Sequence, residues 1–149
     1  MKIGNKILVV CIGNICRSPA AEAFFSAHFK EQGIVAEVES AGIHAMIGDS
    51  AAPHTQKIML QDYDIGVSQH RARQITEDMV FSNHLVITMD KGQSDVLKKK
   101  YPFVSGKIYR LGEWRNTDIV DPYQQPESVF TSCINLIHAC THDWIKKFW

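Results

Sequence analysis

The feature that most constrains the fold is a regular alternation of short β-branched segments with longer segments of helical periodicity. Strands are predicted at Lys6 to Val10, Val35 to Ser40, Leu85 to Met89 and Lys107 to Leu111. Helices are predicted at Pro19 to Gln32, Thr55 to Tyr63, Thr76 to Phe81, Gly92 to Lys100 and Pro126 to Phe148. Such alternation is typical of a parallel sheet covered by helices on both faces. We therefore expect an α/β fold, with one doubly wound domain over residues 1–149 and a four-stranded parallel sheet.

The composition excludes several other classes of protein. The chain has 149 residues, 45% of them hydrophobic, and its 16 basic residues balance 16 acidic ones. A nucleic-acid-binding module would carry an excess of Lys and Arg, so no nucleic-acid partner is expected. The longest apolar run, Ile7 to Ile12, is too short to cross a bilayer, and no signal-peptide cleavage pattern follows it. We expect a soluble cytoplasmic protein without membrane insertion, in which the four cysteines are reduced.

The segment after the first predicted strand has the composition of an anion-binding loop. Ligands of parallel α/β sheets bind beyond the carboxyl ends of the strands, and Cys11 to Pro19 lies at such an end. Loop amides and the N-terminus of the next helix direct hydrogen-bond donors at one point. Ser18 is the predicted N-cap, with Pro19 at the first helical position. Gly13 and Asn14 are expected to adopt the backbone angles of a tight turn. The sequence thus predicts a phosphate-binding loop.

Cys11 and Arg17 give this loop a candidate reaction. The guanidinium of Arg17 offers a planar set of donors that matches a phosphate group. A helix N-terminus and an adjacent guanidinium also favour the thiolate form of a cysteine, and the thiolate is a strong nucleophile. Cys11 is therefore the candidate nucleophile for attack on phosphorus, and Arg17 is the candidate phosphate ligand.

The complete string VCIGNICRSPAAE resembles the signature of the low-molecular-weight protein tyrosine phosphatases. Later motifs of that family follow in order: Ser40-Ala41-Gly42, the H-x-A-R-Q stretch from His70 to Gln74, and Asp121-Pro122-Tyr123. The resemblance implies that Cys11 attacks phosphorus while Asp121 protonates the tyrosyl oxygen. A phosphocysteine then forms, and its hydrolysis by water releases inorganic phosphate. The resemblance implies no metal and no organic cofactor.

The resemblance also implies roles for residues around the nucleophile. The implied substrate-binding residues are Ile12, Gly13, Asn14, Ile15, Cys16, Ser18, Ile43 and Tyr123. A supporting network of Asn14, Ser40 and His70 is expected to hold the loop, and the Ser18 hydroxyl is a candidate donor to Cys11.

Cys16 lies five residues after Cys11 in the same tight loop. It is expected to trap oxidised Cys11 as a disulfide and so protect it from irreversible oxidation. The alternative is that Cys16 packs under the loop.

The positions around the expected pocket also resemble one branch of the family. Ile43, His44 and Gln124 stand where animal-type members carry aromatic residues. The chain is similar in this respect to bacterial members that act on exopolysaccharide and capsule tyrosine kinases. The implied partner is a phosphotyrosine protein, the tyrosine-rich tail of a bacterial tyrosine kinase.

Two other functions fit the residues less well. Some arsenate reductases share the fold and the first loop, but they need two further cysteines near the third strand, and none lies between Arg17 and Cys133. A non-catalytic phosphotyrosine binder would not require Cys11, Arg17 and Asp121 together.

The remaining chemically distinctive residues have simpler interpretations. Cys11 and Cys16 lack the second close cysteine pair that would complete a four-ligand metal site. Cys133 and Cys140 follow the apolar stripe of the last helix, so core packing is expected. His138 and His142 are four residues apart, which is compatible with a metal, but surface histidines are the preferred interpretation.

Overall fold

The predicted strands form one parallel sheet with the order β2-β1-β3-β4 in a computed structural model that describes residues 4–149. The strands are β1 (Lys6–Cys11), β2 (Glu37–Gly42), β3 (Leu85–Thr88) and β4 (Ile108–Arg110). The α-helices are α1 (Arg17–Glu31), α2 (Pro53–Tyr63), α3 (Glu77–Ser82), α4 (Lys91–Lys100) and α5 (Glu127–Phe148). Short 3-10 turns cover Pro102–Lys107 and Glu113–Arg115. The predicted α/β fold with four parallel strands is confirmed.

The central strand β1 is buried on both faces, which explains its unbroken apolar sequence. Its residues alternate between two core clusters. Ile7 and Val9 pack in the cluster built with α1 and α5. Leu8 and Val10 pack in the cluster built with α3 and α4. Both faces are therefore covered by helices, and the free carboxyl end of β1 is the place where a site can open.

The second strand runs later than the sequence pattern predicted. Val35 is 85% exposed and lies before β2, so it contributes nothing to the sheet core. The strand also continues through Ser40 to Gly42, instead of ending at Ser40. Gly42 fits there because it lies against the carbonyl of Ile12, only 2.5 Å from where a Cβ would stand. The S-A-G motif is thus the end of the strand, pressed against the phosphate-binding loop.

The predicted N-cap of α1 is wrong. The helix begins at Arg17, its N-cap is Cys16, and no side chain caps it. Ser18 lies in the first turn, and its hydroxyl contacts the site instead. At the other end, Gly33 has a φ of 65° directly after the C-cap, as expected of the glycine that ends a helix.

The last helix carries the cysteines and histidines that the sequence singled out. Cys133 and Cys140 are buried in the core, as predicted. His142 is exposed, whereas His138 is half-buried against the rings of Phe24 and Tyr63, so the surface interpretation is wrong for His138. Burial and the neighbouring His142 lower the pKa of His138. Within residues 4–149, none of the helices combines the length and the apolarity needed to span a membrane.

Candidate active site

The loop between β1 and α1 turns sharply, and Asn14 makes the turn. Asn14 has a φ of 59°, in the left-handed region that Asn tolerates better than most residues. Gly13 is not among the residues with positive φ, so its expected conformational role is wrong. A Cβ on Gly13 would meet Met46 and Ile15 only at ordinary contact distances. The turn brings the backbone N–H and the side chain of Asn14 beneath the loop, where the whole residue is buried.

Asn14 makes hydrogen bonds to four other residues, three through its side chain and one through its backbone carbonyl. Its Oδ1 accepts a hydrogen bond from the backbone N–H of Arg73 at 3.0 Å, which fixes the orientation of the amide. Its Nδ2 therefore donates to Ser18 Oγ at 2.7 Å and to Ser40 Oγ at 3.0 Å. His70 Nε2 lies 2.7 Å from the carbonyl oxygen of Asn14 and must carry the proton, because a carbonyl only accepts. The structure brings the three expected network residues together.

The same logic assigns the donors around the Cys11 thiol. Because Ser18 Oγ accepts from Asn14, its own proton is free to point at Cys11 Sγ, 3.0 Å away. The backbone N–H of Asn14 donates to the same sulfur at 3.3 Å. Both donors and the N-terminus of α1 favour a negative charge on the sulfur. Cys11 is buried at the base of the site.

The guanidinium of Arg17 lines the same cavity as Cys11 and is buried. Its Nη1 donates to the carbonyl of Ile119 at 2.7 Å and lies 3.6 Å from Asp90 Oδ2. Its Nη2 lies 3.6 Å from Asp121 Oδ2. Its Nε is buried and finds no hydrogen-bond partner within the described residues. A buried donor without an acceptor is costly, and a phosphate oxygen would satisfy it.

Asp121 lies at the mouth of the site, on the loop after the second 3-10 turn. About half of its side chain is exposed. Its Oδ1 accepts a hydrogen bond from the backbone N–H of Tyr123 at 3.0 Å, and its Oδ2 faces Arg17. This placement lets Asp121 contact both the site and the solvent, as a proton donor requires.

A cavity of about 120 Å³ lies between these elements. Five of the expected substrate-binding residues line it: Ile12, Gly13, Ile15, Cys16 and Tyr123. Asn14 and Ser18 lie behind the loop and are fully buried. Ile43 is not in the cavity, and this prediction is wrong. It packs against the core cluster of α3 and α4 while its carbonyl accepts from Gln74.

His44 and Met46 occupy the wall expected for Ile43. The segment reaches the pocket because the backbone N–H groups of His44 and Met46 donate to the carbonyls of Ile12 and Gly13, both at 3.0 Å. No periodicity or motif in the sequence indicated this attachment.

Sequence reasoning also missed Asp90 as a ligand of Arg17. Its position gave a signal, since Asp90 directly follows the third strand at the edge where the site lies. The sequence predicted no contact for Arg73, whose Nε donates to the carbonyl of Ser40 at 3.0 Å.

The second cysteine of the loop, Cys16, is buried. Burial, followed by the charges of Cys11 and Asp121, raises the pKa of the Cys16 thiol to about 12. All four cysteines are free thiols. Among the described residues, no group of three or more His, Cys, Asp or Glu side chains could hold a metal ion.

Comparisons with known proteins agree with this geometry. A protein-family model described as low molecular weight phosphotyrosine protein phosphatase matches residues 6–148. The chain is 37% identical to the low molecular weight protein-tyrosine-phosphatase Ptp of Acinetobacter johnsonii, over 95% of this chain and 96% of that one. It is 35% identical to Wzb of Escherichia coli K12, over 95% and 94% of the two chains.

Solved structures give the same result. The tyrosine phosphatase AmsI of Erwinia amylovora matches with a TM-score of 0.89 and 34% identity, over 97% of this chain and 93% of that one. The arginine phosphatase YwlE of Geobacillus stearothermophilus also matches, with a TM-score of 0.87 and 28% identity, over 97% and 92% of the two chains. The fold is therefore shared by a tyrosine phosphatase and an arginine phosphatase.

Proposed function

The chain belongs to the low molecular weight phosphotyrosine protein phosphatases and is a protein tyrosine phosphatase, and we propose that Cys11, Arg17 and Asp121 perform its reaction. One observation carries this assignment. Cys11 Sγ has two hydrogen-bond donors and shares its cavity with a buried arginine whose Nε has no partner within residues 4–149. A thiol and an unsatisfied guanidinium N–H around a small cavity are suited to a phosphate ester.

The first step transfers the phosphoryl group to the protein. The Cys11 thiolate attacks phosphorus, and the bond between phosphorus and the tyrosyl oxygen breaks. Asp121 gives its proton to the departing oxygen, so the leaving group departs as a neutral phenol. Arg17 and the amides of the loop hold the remaining phosphate oxygens. The product of this step is a phosphocysteine.

The second step regenerates the thiolate. Asp121, now a carboxylate, takes a proton from a water molecule that attacks phosphorus. The bond between sulfur and phosphorus breaks, and Ser18 and the Asn14 N–H stabilise the returning negative charge on Cys11. Inorganic phosphate leaves. The protein residues supply each proton and each charge, so this mechanism uses neither a metal nor an organic cofactor.

The proposed substrate is a phosphotyrosine protein, specifically the tyrosine-rich tail of a bacterial tyrosine kinase that controls exopolysaccharide or capsule production. Similarity to the phosphatases named Wzb, AmsI and EpsP supports this choice. His44 in the pocket wall, where animal-type members carry an aromatic residue, is consistent with it. The proposed compartment is the cytoplasm, and the proposed domain covers residues 1–149.

A comparison of three phosphorylated peptides tests the phosphotyrosine assignment. Peptides of one sequence carrying phosphotyrosine, phosphoserine or phosphoarginine are compared by phosphate release, with Cys11→Ser as the blank. Because Cys11 is buried at the base of the cavity, the long aryl side chain should reach it and phosphoserine should not. A value of kcat/KM for phosphoserine or phosphoarginine that equals the phosphotyrosine value would refute the assignment. The phosphoarginine peptide is included because an arginine phosphatase shares the fold.

A further inference from the structure

A second and larger cavity opens beside the catalytic pocket. Its volume is about 830 Å³, against about 120 Å³ for the pocket that contains Cys11. The two cavities share Ile15, Met46 and Tyr123 as lining residues, so one continues into the other. One wall of this flanking groove is formed by residues 49–54, and the other by residues 123–125.

The flanking groove is attached to the phosphate-binding loop by backbone hydrogen bonds. The N–H of Ala52 donates to the carbonyl of Ile15 at 2.8 Å, and the N–H of Met46 donates to the carbonyl of Gly13 at 3.0 Å. On the opposite wall, the N–H of Gln125 donates to the carbonyl of Pro122 at 2.9 Å. The position of the groove relative to the catalytic pocket is therefore fixed by the fold.

The lining of the flanking groove is largely uncharged. Ala51, Ala52 and Phe130 supply buried apolar surface at its base, and three glutamines stand on its sides. Among its described lining residues, Asp49 is the one carboxylate, and there is no Lys or Arg. His54 Nδ1 lies 3.8 Å from Glu127 Oε1, the oxygen that Lys57 Nζ contacts at 2.8 Å.

We propose that the flanking groove binds the polypeptide next to the phosphotyrosine and selects uncharged apolar side chains there over carboxylates. The inference rests on the proposed function, because a phosphotyrosine in the catalytic pocket directs the adjoining chain across the shared residues. Apolar side chains gain by leaving water for the surface of Ala52 and Phe130. A carboxylate in the groove would meet no Lys or Arg among the lining residues and would be repelled by Asp49.

Two phosphotyrosine peptides of equal length test the selection, one with leucine and one with glutamate on each side of the phosphotyrosine. A small aryl phosphate, which is too short to enter the groove, reports on the catalytic pocket alone. We expect kcat/KM to be about tenfold higher for the leucine peptide, with most of the difference in KM. Equal values for the two peptides, with normal turnover of the aryl phosphate, would overturn the groove proposal and leave the phosphatase mechanism intact. Absence of Cys11-dependent aryl phosphate turnover would instead refute the proposed function.

Adding positive charge to the groove provides a second test of the proposed selection. Asp49→Lys and Ser50→Lys each place a cation on the same wall, so each should reduce or reverse the preference for the leucine peptide. The matched control is Asp95→Lys, which makes the same charge change on α4, across the sheet from the groove. The ratio of the two peptide kcat/KM values is the readout. If Asp95→Lys changes that ratio as much as Asp49→Lys does, the effect is general electrostatics and the groove proposal is wrong.

Discussion

The two loops that meet at the active site are built in opposite ways. The phosphate-binding loop, residues 11–18, is buried except at Ile12 and Gly13, and the polar groups of Asn14 are paired with Ser40, His70 and Arg73. The acid loop, residues 118–125, is exposed at Val120, Asp121 and Tyr123. Ile119 and Asp118 attach the start of the acid loop to distant segments, whereas the carboxylate of Asp121 accepts one hydrogen bond from its own loop and faces Arg17.

The difference follows from what each loop must do. Stabilising charge on a transferring phosphate requires donors that do not reorganise during the reaction, and buried hydrogen bonds provide this. Donating and accepting a proton requires access to both substrate and water, which an exposed carboxylate provides. Ile119 joins the two, since its carbonyl at the start of the acid loop accepts from Arg17 at 2.7 Å.

The largest effect should come from removing the nucleophile of the buried loop. Cys11→Ser should lower kcat on an aryl phosphate by at least about 10⁴-fold, because a serine hydroxyl is not ionised at neutral pH. Binding of inorganic phosphate, measured by calorimetry, should persist because Arg17 and the loop amides remain. Circular dichroism checks the fold, and Cys11→Ala serves as a second variant. Turnover close to that of the unchanged protein would contradict the assignment of the nucleophile.

Removing the acid should be less damaging, and the loss should depend on the substrate. Asp121→Asn should lower kcat by about 10²- to 10⁴-fold for a phenyl phosphate. The loss should shrink for a nitrophenyl phosphate, whose leaving oxygen needs less protonation. Asp118→Asn is the matched control, because Asp118 is exposed on the same loop but pairs with Arg110 at 2.9 Å. Equal losses for leaving groups of different basicity would mean that Asp121 is not the proton donor.

The next largest loss of activity should come from replacing Arg17, whose guanidinium joins the two loops. Arg17→Lys should lower kcat/KM by about 10²- to 10³-fold, since an ammonium keeps the charge but cannot reproduce the planar set of donors. Arg115→Lys is the control, because Arg115 makes a surface ion pair with Asp143. Activity retained within about threefold in Arg17→Lys would show that charge alone is sufficient at this position.

Loosening the buried loop tests whether its rigidity matters. Asn14→Ala removes the amide that connects Arg73, Ser18 and Ser40, and should lower kcat by about 10- to 100-fold through misplacement of the thiol. The matched control is Asn116→Ala. Asn116 has a φ of 50°, so the control carries the same left-handed backbone strain outside the site. If both variants lose stability but neither loses activity, the network supports the fold and not the reaction.

The buried loop was more predictable from the sequence than its surroundings. Cys11, Arg17 and the strand before them are consecutive in the chain, so local spacing was enough to place them. The end of β2 was misplaced because the close approach of Gly42 to Ile12 depends on tertiary packing. Ile43 was misassigned for a similar reason, since its neighbours His44 and Met46 bond to the loop and turn Ile43 toward the opposite core.

In the acid loop, the spacing of residues alone was not enough to predict the role of Asp121. Asp121 was named through a resemblance, because an Asp-Pro dipeptide alone is typical of many turns. The contact of Arg17 with the carbonyl of Ile119 joins residues far apart in sequence, and a backbone carbonyl leaves no signal in the residue types.

The smallest effect on initial activity should come from Cys16. Burial raises its pKa to about 12, so Cys16 is a neutral thiol at pH 7 and does not serve as a nucleophile toward phosphorus. Cys16→Ser should therefore keep activity within about threefold. Iodoacetamide at pH 7 should modify Cys11 and leave Cys16 unmodified, as peptide mass spectrometry can show.

A peroxide challenge then separates the two roles considered for Cys16. Peroxide converts the Cys11 thiolate to a sulfenic acid, which removes one of the charges that raise the pKa of Cys16. The Cys16 thiol can then condense with the sulfenic acid, forming a disulfide and releasing water. With this protection, the unchanged protein should regain activity after treatment with a thiol reductant, and Cys16→Ser should regain much less. Mass spectrometry should detect the bridge between Cys11 and Cys16. Full recovery of Cys16→Ser, or no bridge in the oxidised protein, would show that Cys16 only packs beneath the loop.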